Sequence, residues 1–224
     1  MKENMKEFWE SNFQDKQIMW GLQPADATLE AKALFQKNNI QKILIPGFGY
    51  GRNAKTFIDD GFDVTGIEIS KTAIDIAKEH LKGNYKLYHG AVGEMPFDQE
   101  KYKGIFCYAL IHLLGKKERE KLIQDCYDQL QNNGIMIFIA LSTNDARYGK
   151  GEKISRNTYL TKHGVELFFY DSNTLEREFG AYGLVETEEI NEPVKNTSDK
   201  PSEKFWKIIC KKLDKHPMDI KNIF

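Results

Sequence analysis

The fold is decided by the stretch Ile43-Leu44-Ile45-Pro46-Gly47-Phe48-Gly49-Tyr50-Gly51-Arg52-Asn53. Its first three residues form a short apolar run, which is typical of a buried parallel strand. The glycines that follow let the backbone turn sharply and approach a ligand without a Cβ clash. A helix predicted for residues 53–60 then points its free N–H groups at that ligand. The stretch therefore predicts a buried strand, a ligand-binding turn and a helix in succession.

Glu68 is the second element of the predicted site, because it lies at the end of the next strand, predicted over residues 63–69. A carboxylate at a strand end accepts two hydrogen bonds from the vicinal hydroxyls of a ribose. A dinucleotide-binding turn would carry its third glycine at the position of Arg52, and the chain has no Gly-Lys-Ser/Thr phosphate loop. The pattern therefore favours a nucleoside without a pyrophosphate and disfavours a nicotinamide oxidoreductase.

The rest of the chain repeats the alternation of strand and helix. Further strands are predicted over residues 85–88, 104–108 and 135–141, and helices over residues 118–130 and from a cap at Ser70 to Leu81. Strands separated by helices of this length imply a parallel sheet with right-handed crossovers. Residues 185–190 and 205–211 are predicted to pair as an antiparallel hairpin at one edge, because the link between them is short and polar.

Composition limits the class of protein. The 224 residues suit one domain, and 32 basic residues against 33 acidic ones leave a net charge of -1. Because proteins that bind nucleic acid usually carry a basic excess, we expect no nucleic-acid partner. No run approaches the roughly 20 apolar residues that cross a bilayer, and residues 1–10 lack the apolar core of a signal peptide. We therefore expect no membrane association and a cytoplasmic location.

The cysteines are Cys107, Cys126 and Cys210, each in an apolar stretch. They are widely spaced, and no CxxC pair suggests a zinc site or a redox couple. We therefore expect buried thiols that act as small hydrophobic residues, and no metal site.

Several segments together resemble the class I S-adenosylmethionine-dependent methyltransferases. They are the glycine turn, Glu68, residues 90–97, the fourth strand with its continuation at residues 104–114, and the final hairpin, so the resemblance covers about residues 40–211. It implies an α/β fold, a Rossmann-like three-layer sandwich whose seven-stranded, mostly parallel sheet ends in an antiparallel C-terminal hairpin. It also implies S-adenosylmethionine as the cofactor and S-adenosylhomocysteine as the product. Within the family, the chain is similar to a small-molecule branch that includes tellurite-resistance-like and thiopurine-methyltransferase-like enzymes.

The resemblance also implies which residues contact the cofactor. The contacts are the main chain of Gly47, Phe48 and Gly49, the ribose at Glu68, adenine stacking on Ile69, and the methionine part at Tyr108. Many relatives carry an acid after the glycine that matches Gly90, where this chain has Ala91. The hydrogen bond to the adenine amine then comes from the Val92 backbone, from Glu94, or is absent. Its loss would cost about 1 kcal/mol, which is too little to abolish binding.

The chain is predicted to divide into three parts. Residues 1–39 form a helical cap over the cofactor site, because the aromatic N-terminus is similar to the segment that covers the cofactor in this branch, and Trp20 is expected to contact the cofactor. Residues 40–213 form the methyltransferase domain, and residues 214–224 form a polar tail. Residues 142–163 show little periodicity and follow a strand at the edge where open α/β sheets bind ligands, which predicts a lid.

The predicted reaction is an in-line displacement. A sulfonium methyl group is already activated, so the enzyme mainly aligns the reactants and excludes water. A thiol or another soft anion needs no strong base as acceptor, whereas a hydroxyl does. His112 is the candidate base at neutral pH, or else a packed histidine that lines the pocket. Tyr108 is the candidate for orienting the substrate or the cofactor's amine.

The methyl acceptor is predicted to be a small molecule. Enzymes that methylate amines of nucleic acids often carry an Asn/Asp-Pro-Pro-aromatic motif after the fourth strand, and this chain has Cys107-Tyr108-Ala109-Leu110 there. The alternative interpretation is a non-catalytic protein that binds S-adenosylmethionine or S-adenosylhomocysteine, because a fold alone does not establish an activity. We expect the chain to act as a monomer or a homodimer.

Overall fold

The computed structural model describes residues 2–195 and 202–214, with side chains from residue 5 onward. Positions 196–201, in the link of the predicted hairpin, lie outside the described residues. The tail predicted for residues 214–224 also lies outside them from position 215 on.

Helices and strands alternate along most of the chain. The helices are α1 (Lys2–Lys16), α2 (Asp26–Lys37), α3 (Ala54–Asp59), α4 (Lys71–His80), α5 (Lys116–Gln129) and α6 (Ser172–Phe179), with single 3-10 turns at Val92–Glu94, Ile111–Leu113 and Gly180–Tyr182. The strands are β1 (Lys42–Pro46), β2 (Asp63–Glu68), β3 (Tyr85–His89), β4 (Tyr102–Tyr108), β5 (Leu130–Leu141), β6 (Glu152–Ser155), β7 (Thr158–Leu160), β8 (Glu166–Phe168), β9 (Leu184–Glu192) and β10 (Glu203–Lys211).

Seven strands form one sheet in the order β3-β2-β1-β4-β5-β10-β9. Strands β1 to β5 run parallel, whereas β10 pairs antiparallel with both β5 and β9. The strand order reverses between β1 and β4, and in open α/β sheets a ligand binds at the carboxyl ends of the strands at such a point. The predicted Rossmann-like sheet with an antiparallel C-terminal hairpin is confirmed.

Successive residues of β1 define the two layers that cover the sheet. Ile43 and Ile45 belong to the core on the side of α2 and α3, whereas Leu44 belongs to the core on the side of α5 and α6. This alternation is expected for a strand buried on both faces. The three layers of the predicted sandwich are therefore present.

Helix α2 belongs to this sandwich and not to a separate cap. Its Phe35 is fully buried, and its ring lies 6.0 Å from that of Phe57 on α3. Its N-terminus rests on Glu192 of β9, whose carboxylate accepts the N–H groups of Asp26 (3.0 Å) and Ala27 (2.9 Å). The predicted cap over residues 1–39 is therefore too long, because the apolar face of α2 packs against the sheet.

Residues 142–163 also differ from the prediction, because they are not a plain loop. Strands β6 and β7 form a hairpin with a turn at Asn157 (φ +60°), and β7 pairs with β8 in a three-stranded antiparallel sheet. Tyr148 joins the segment before the hairpin to it by donating a hydrogen bond to Asn157 (3.0 Å). The strands escaped detection because every residue of β6 is exposed, so that its sequence carries no apolar alternation.

The core contains all three cysteines as free, buried thiols, as predicted. They lie on the side of the sheet that α5 and α6 cover. Among the described helices, none combines the length and the apolar character that crossing a membrane requires.

Candidate functional site

The glycine turn follows β1 at the carboxyl edge of the sheet. The N–H groups of Gly47 and Phe48 both donate to the carbonyl of Ile67, which fixes the turn against the end of β2. Gly47 has φ +72°, and a Cβ there would lie 3.0 Å from Leu110. Gly49 has φ +59°, but a Cβ there would meet no atom within 4 Å. The turn is therefore packed tightly at Gly47 and open at Gly49, as a turn that receives a ligand requires.

Phe48 contributes its main chain to this turn and its side chain to the core. Its ring stacks on that of Tyr85 at 6.1 Å and occupies the space beside Gly66, where a Cβ would lie 2.2 Å from the ring. Only 5% of Phe48 is exposed. The predicted main-chain role of Phe48 fits this geometry.

Glu68 lies beside the open part of the turn. Its Oε2 accepts the N–H of Gly49 (2.7 Å), and its Oε1 accepts the N–H of Ser70 (2.8 Å). Burial raises the pKa of Glu68, although these backbone hydrogen bonds act in the opposite direction. A carboxylate offers about four acceptor positions, which the backbone N–H groups of Gly49, Ile69 and Ser70 do not fill. The open part suits a ribose hydroxyl, so the residues present fit a nucleoside ligand.

Helix α1 holds the turn that follows Glu68. Glu10 of α1 accepts hydrogen bonds from the hydroxyls of Ser70 (2.7 Å) and Thr72 (2.6 Å). Burial alone would raise the pKa of Glu10, but these hydrogen bonds lower it below its usual value. Ser70 also caps α4, as predicted, by accepting the N–H of Ala73. The N-terminal helix therefore packs at the edge of the sheet where the site residues gather.

Trp20 is connected to the glycine turn through Tyr50. The backbone N–H of Trp20 donates to the Tyr50 hydroxyl (3.1 Å), and this hydroxyl donates to the carbonyl of Gly21 (2.7 Å). The rings of Trp20 and Tyr50 stack at 6.3 Å with an angle of 13° between their planes. Arg52 donates to the Trp20 carbonyl as well (3.2 Å). Because Trp20 remains 49% exposed, it has surface left for contact with a ligand.

The residues predicted to surround adenine follow β2 and β3. Ile69 is half-buried, and His89 of β3 hydrogen-bonds its carbonyl (3.1 Å). Ala91 and Val92 are half-buried at the end of the neighbouring strand. The Glu94 carboxylate accepts the N–H of Ala91 (3.2 Å). The structure therefore brings Ile69, Ala91 and Val92 to one edge, and Glu94 is already engaged with the backbone there.

Tyr108 ends β4 and packs among aromatic and charged groups. Its ring stacks on that of Phe205 at 6.4 Å, and the Arg52 guanidinium lies 5.8 Å from its centre. Burial raises the pKa of Tyr108, and the carboxylate of Glu192 raises it further, while Arg52 acts in the opposite direction. The phenol is therefore neutral at physiological pH and available as a hydrogen-bond donor.

His112 lies close by in the 3-10 turn after β4 and is only 6% exposed. Its Nδ1 accepts the N–H of Leu141 (3.4 Å), and its ring lies 6.0 Å from that of Phe205. Burial lowers the pKa of His112 to about 3, and the nearby Arg147 contributes to this shift. Because Nδ1 is an acceptor, the neutral ring carries its proton on Nε2. Of the two roles that the sequence left open for His112, the geometry therefore favours the packed histidine, as a hydrogen-bond donor, over the general base.

A charged network beside His112 was not found by sequence reasoning. Asp145 is buried and accepts hydrogen bonds from Arg147 Nε (2.7 Å) and from the N–H of Lys204 (2.8 Å). Arg147 also forms an ion pair with Glu203 (3.0 Å). Glu203 lies opposite Glu192 in the antiparallel pairing of β9 and β10. Asp145 and Arg147 are two residues apart, but Glu203 and Lys204 join them only when β10 pairs with β5.

Comparison with known proteins finds similarity to methyltransferases. Residues 43–134 match a methyltransferase domain family. The chain is also 25% identical over 157 residues to the tRNA N(3)-cytidine methyltransferase METTL2 of Danio rerio, an alignment that covers 64% of this chain. It covers 44% of that relative, so the chain spans less than half of the length of that protein.

Two solved structures illustrate the similarity of the fold. The 1,6-didemethyltoxoflavin-N1-methyltransferase of Burkholderia thailandensis is 14% identical, with a TM-score of 0.70 over 94% of this chain and 88% of that chain. TehB of Haemophilus influenzae is 17% identical, with a TM-score of 0.61 over 91% of this chain and 67% of that chain. Together with the domain match over residues 43–134, the sheet order and the glycine turn, these findings show that the chain carries a methyltransferase domain with the fold of the class I S-adenosylmethionine-dependent methyltransferases.

Proposed function

We propose that this enzyme transfers the methyl group of S-adenosylmethionine to a small-molecule acceptor by in-line displacement. The observation that carries the proposal is Glu68, whose carboxylate keeps acceptor capacity beyond its backbone hydrogen bonds and lies beside the open Gly49. The similarity in fold to the Burkholderia enzyme, whose structure holds 1,6-didemethyltoxoflavin and S-adenosylhomocysteine, supports a small acceptor.

The positions of the residues support the following cofactor-binding roles. The main chain of Gly47, Phe48 and Gly49 would contact the cofactor, and Glu68 would bind its ribose. The adenine would lie among Ile69, Ala91 and Val92, and the methionine part would lie near Trp20 and Tyr108. An exposed aromatic face such as that of Trp20 attracts a sulfonium by about 0.5–2 kcal/mol. The cap that covers the cofactor is then α1 with the segment up to Trp20, and the three-stranded sheet takes the place of the predicted lid.

The chemistry of the neighbouring side chains favours an acceptor that needs no strong base. S-adenosylmethionine supplies a methyl group that its sulfonium charge has already activated. His112 has a pKa near 3 and therefore binds a proton too weakly to remove one from a hydroxyl. Tyr108 and His112 instead donate hydrogen bonds that orient the acceptor or the cofactor. We therefore infer that a thiol or another soft anion is the acceptor, in preference to a hydroxyl.

Transfer RNA is the second candidate acceptor, because the relative from Danio rerio is a tRNA methyltransferase. An acceptor screen with thiols, small anions and tRNA, read as the formation of S-adenosylhomocysteine, separates the two candidates. We expect methylation of a small molecule. Methylation of tRNA alone would replace the proposed acceptor but leave the cofactor assignment intact.

The Glu68→Gln substitution is expected to weaken the binding of S-adenosylhomocysteine at least tenfold, which is about 1.4 kcal/mol of binding free energy. Glu68→Gln keeps the size of the side chain but replaces one of the two acceptor oxygens by an amide donor. Isothermal titration calorimetry of wild type and variant measures the change. Wild-type affinity should also fall as the pH drops through the raised pKa of Glu68, because protonation removes the carboxylate.

The matched control is Glu79→Gln, an exposed position on α4 that should leave the affinity unchanged. Equal affinities of the Glu68→Gln variant and the wild type would refute the ribose role of Glu68. Failure of the wild type to bind either S-adenosylmethionine or S-adenosylhomocysteine would refute the assignment of the whole site.

A further inference from the structure

Arg52 follows the glycine turn and stands where a dinucleotide-binding turn would carry its third glycine. Its half-buried side chain extends along the carboxyl edge of the sheet to the end of β4. There the guanidinium lies 5.8 Å from the centre of the Tyr108 ring and donates to the carbonyl of Trp20 (3.2 Å). The cofactor-binding roles proposed above do not include this side chain, so its charge calls for a separate explanation.

The charge of Arg52 has no partner in the part of the chain that the structure describes. Among residues 5–195 and 202–214, Arg52 is the one arginine without a carboxylate within 4 Å. The other four arginines each form at least one ion pair, and they are Arg119, Arg147, Arg156 and Arg177. A half-buried guanidinium without a counter-charge is a candidate for binding an anion, because an ion pair offsets the cost of removing it from water.

The acids that act on the neighbouring Tyr108 are bound to other groups. Glu192 raises the pKa of Tyr108, but each of its carboxylate oxygens accepts an N–H group at the N-terminus of α2. Glu203 has a smaller effect on the same pKa, and it forms its ion pair with Arg147 (3.0 Å). Neither carboxylate lies in contact with Arg52, so a ligand has room to supply the missing negative charge.

Arg52 and Tyr108 also keep hydrogen-bond donors that the protein does not use. The Trp20 carbonyl takes one N–H of Arg52, and the Tyr108 hydroxyl accepts a second one, which acts to lower the pKa of that phenol. About three of the five N–H donors of the guanidinium therefore remain. The neutral Tyr108 can donate its own O–H, for which the described residues provide no acceptor. A guanidinium and a phenol thus offer unused donors at one place.

We propose that Arg52, together with the Tyr108 hydroxyl, binds a carboxylate group of a ligand in the methyltransferase site. The planar fork of a guanidinium matches the two oxygens of a carboxylate, and the phenol donates to one of the remaining lone pairs. The carboxylate belongs either to the amino-acid part of the cofactor or to the methyl acceptor. The inference rests on the proposed function, because that function brings the methionine part and the acceptor together near Trp20 and Tyr108.

The cofactor is tested as the source by isothermal titration calorimetry of the full chain with S-adenosylhomocysteine and 5′-methylthioadenosine. The two probes share the nucleoside and its sulfur, but 5′-methylthioadenosine lacks the amino-acid part. If the cofactor supplies the carboxylate, Arg52→Gln should weaken the binding of S-adenosylhomocysteine at least tenfold and leave that of 5′-methylthioadenosine unchanged. Equal losses for both probes would overturn the proposal, because they would make Arg52 a structural support of Trp20.

The acceptor is tested as the source by titrating mercaptoacetate and 2-mercaptoethanol into the complex with S-adenosylhomocysteine. The two thiols are similar in size, and only mercaptoacetate carries a carboxylate. If the acceptor supplies the carboxylate, the wild type should bind mercaptoacetate at least tenfold more tightly than 2-mercaptoethanol. Arg52→Gln should abolish this difference and bind S-adenosylhomocysteine as the wild type does.

The matched control is Arg177→Gln, which removes an exposed guanidinium on α6 and should leave the affinity for every probe unchanged. Arg52→Lys keeps the charge without the planar fork and should recover part of the affinity that Arg52→Gln loses. The proposal fails if Arg52→Gln changes neither the affinity for S-adenosylhomocysteine nor the preference between the two thiols. Failure of the wild type to bind both nucleoside probes would instead refute the proposed function, and this inference with it.

Discussion

When the pH falls from 7 to 5, His112 alone is expected to lower the free energy of unfolding of the wild-type protein by about 2 kcal/mol. The pKa of this side chain is about 3 in the folded protein against 6.5 in the unfolded chain, because the folded state buries it. As the pH falls below 6.5, the unfolded chain therefore takes up a proton that the folded protein does not, and each unit costs about 1.4 kcal/mol. The contribution of the buried, neutral His112 is fully present above pH 6.5. It is lost as the pH falls, and the total loss approaches about 5 kcal/mol near pH 3.

The His112→Asn variant tests this expectation by urea denaturation at several pH values. Asparagine keeps an acceptor oxygen for the N–H of Leu141 but has no titrating ring. The variant should be less stable than the wild type at pH 7, where its smaller side chain leaves a void, and the difference should shrink by about 2 kcal/mol at pH 5. His163→Asn, at an exposed position, serves as the control. A constant difference across this range would contradict the buried, neutral state of His112.

Replacing Glu178 by alanine is expected to lower the free energy of unfolding by about 3–5 kcal/mol. Glu178 forms a two-point ion pair with Arg119 (3.0 and 3.2 Å) and accepts the Tyr170 hydroxyl (3.0 Å), all in the buried layer around α6. Both charged side chains are no more than 5% exposed. Removing one partner leaves the guanidinium buried without its counter-charge, which accounts for the size of the effect. Urea unfolding with linear extrapolation measures it.

A double variant distinguishes the cost of an unpaired charge from the value of the pair. Arg119→Met/Glu178→Leu removes both charges and should recover most of the stability that Glu178→Ala loses. Asp59→Ala, which breaks the exposed pair with Lys55, should change the stability by less than about 1 kcal/mol. A double variant as unstable as the single one would show that packing on Phe168, and not charge pairing, makes Arg119 important.

The sequence predicted the part of the fold whose signals are local. The apolar run at residues 43–45, the glycine turn and Glu68 are adjacent or one strand apart, so their spacing encodes their geometry. Ser70 behaves in the same way, because a cap and its helix are neighbours in the chain. These elements are enough to fix the sheet order around β1 and β2 and the position of the nucleoside site.

The elements that the sequence did not predict depend on contacts between distant residues. Glu192 accepts the N–H groups at the N-terminus of α2, although it lies 165 residues after Ala27 in the sequence. Nothing near Asp26 or Ala27 signals this partner. The lowered pKa of His112 likewise comes from burial, which only the assembled fold provides. In β6 the failure has another cause, because a fully exposed strand carries no apolar period.

The hydrogen bonds of Glu10 have a consequence for the binding of ligands. Ser70 donates its hydroxyl to Glu10 and its N–H to Glu68, so α1 and the carboxylate proposed to bind the ribose hold the same turn. A ligand that hydrogen-bonds Glu68 and orders this turn thereby favours the docked position of α1. Thermodynamic coupling between two sites is reciprocal, so the docked helix raises the affinity for that ligand by the same factor. With the ribose role proposed for Glu68, helix docking and nucleoside binding form a single linked equilibrium.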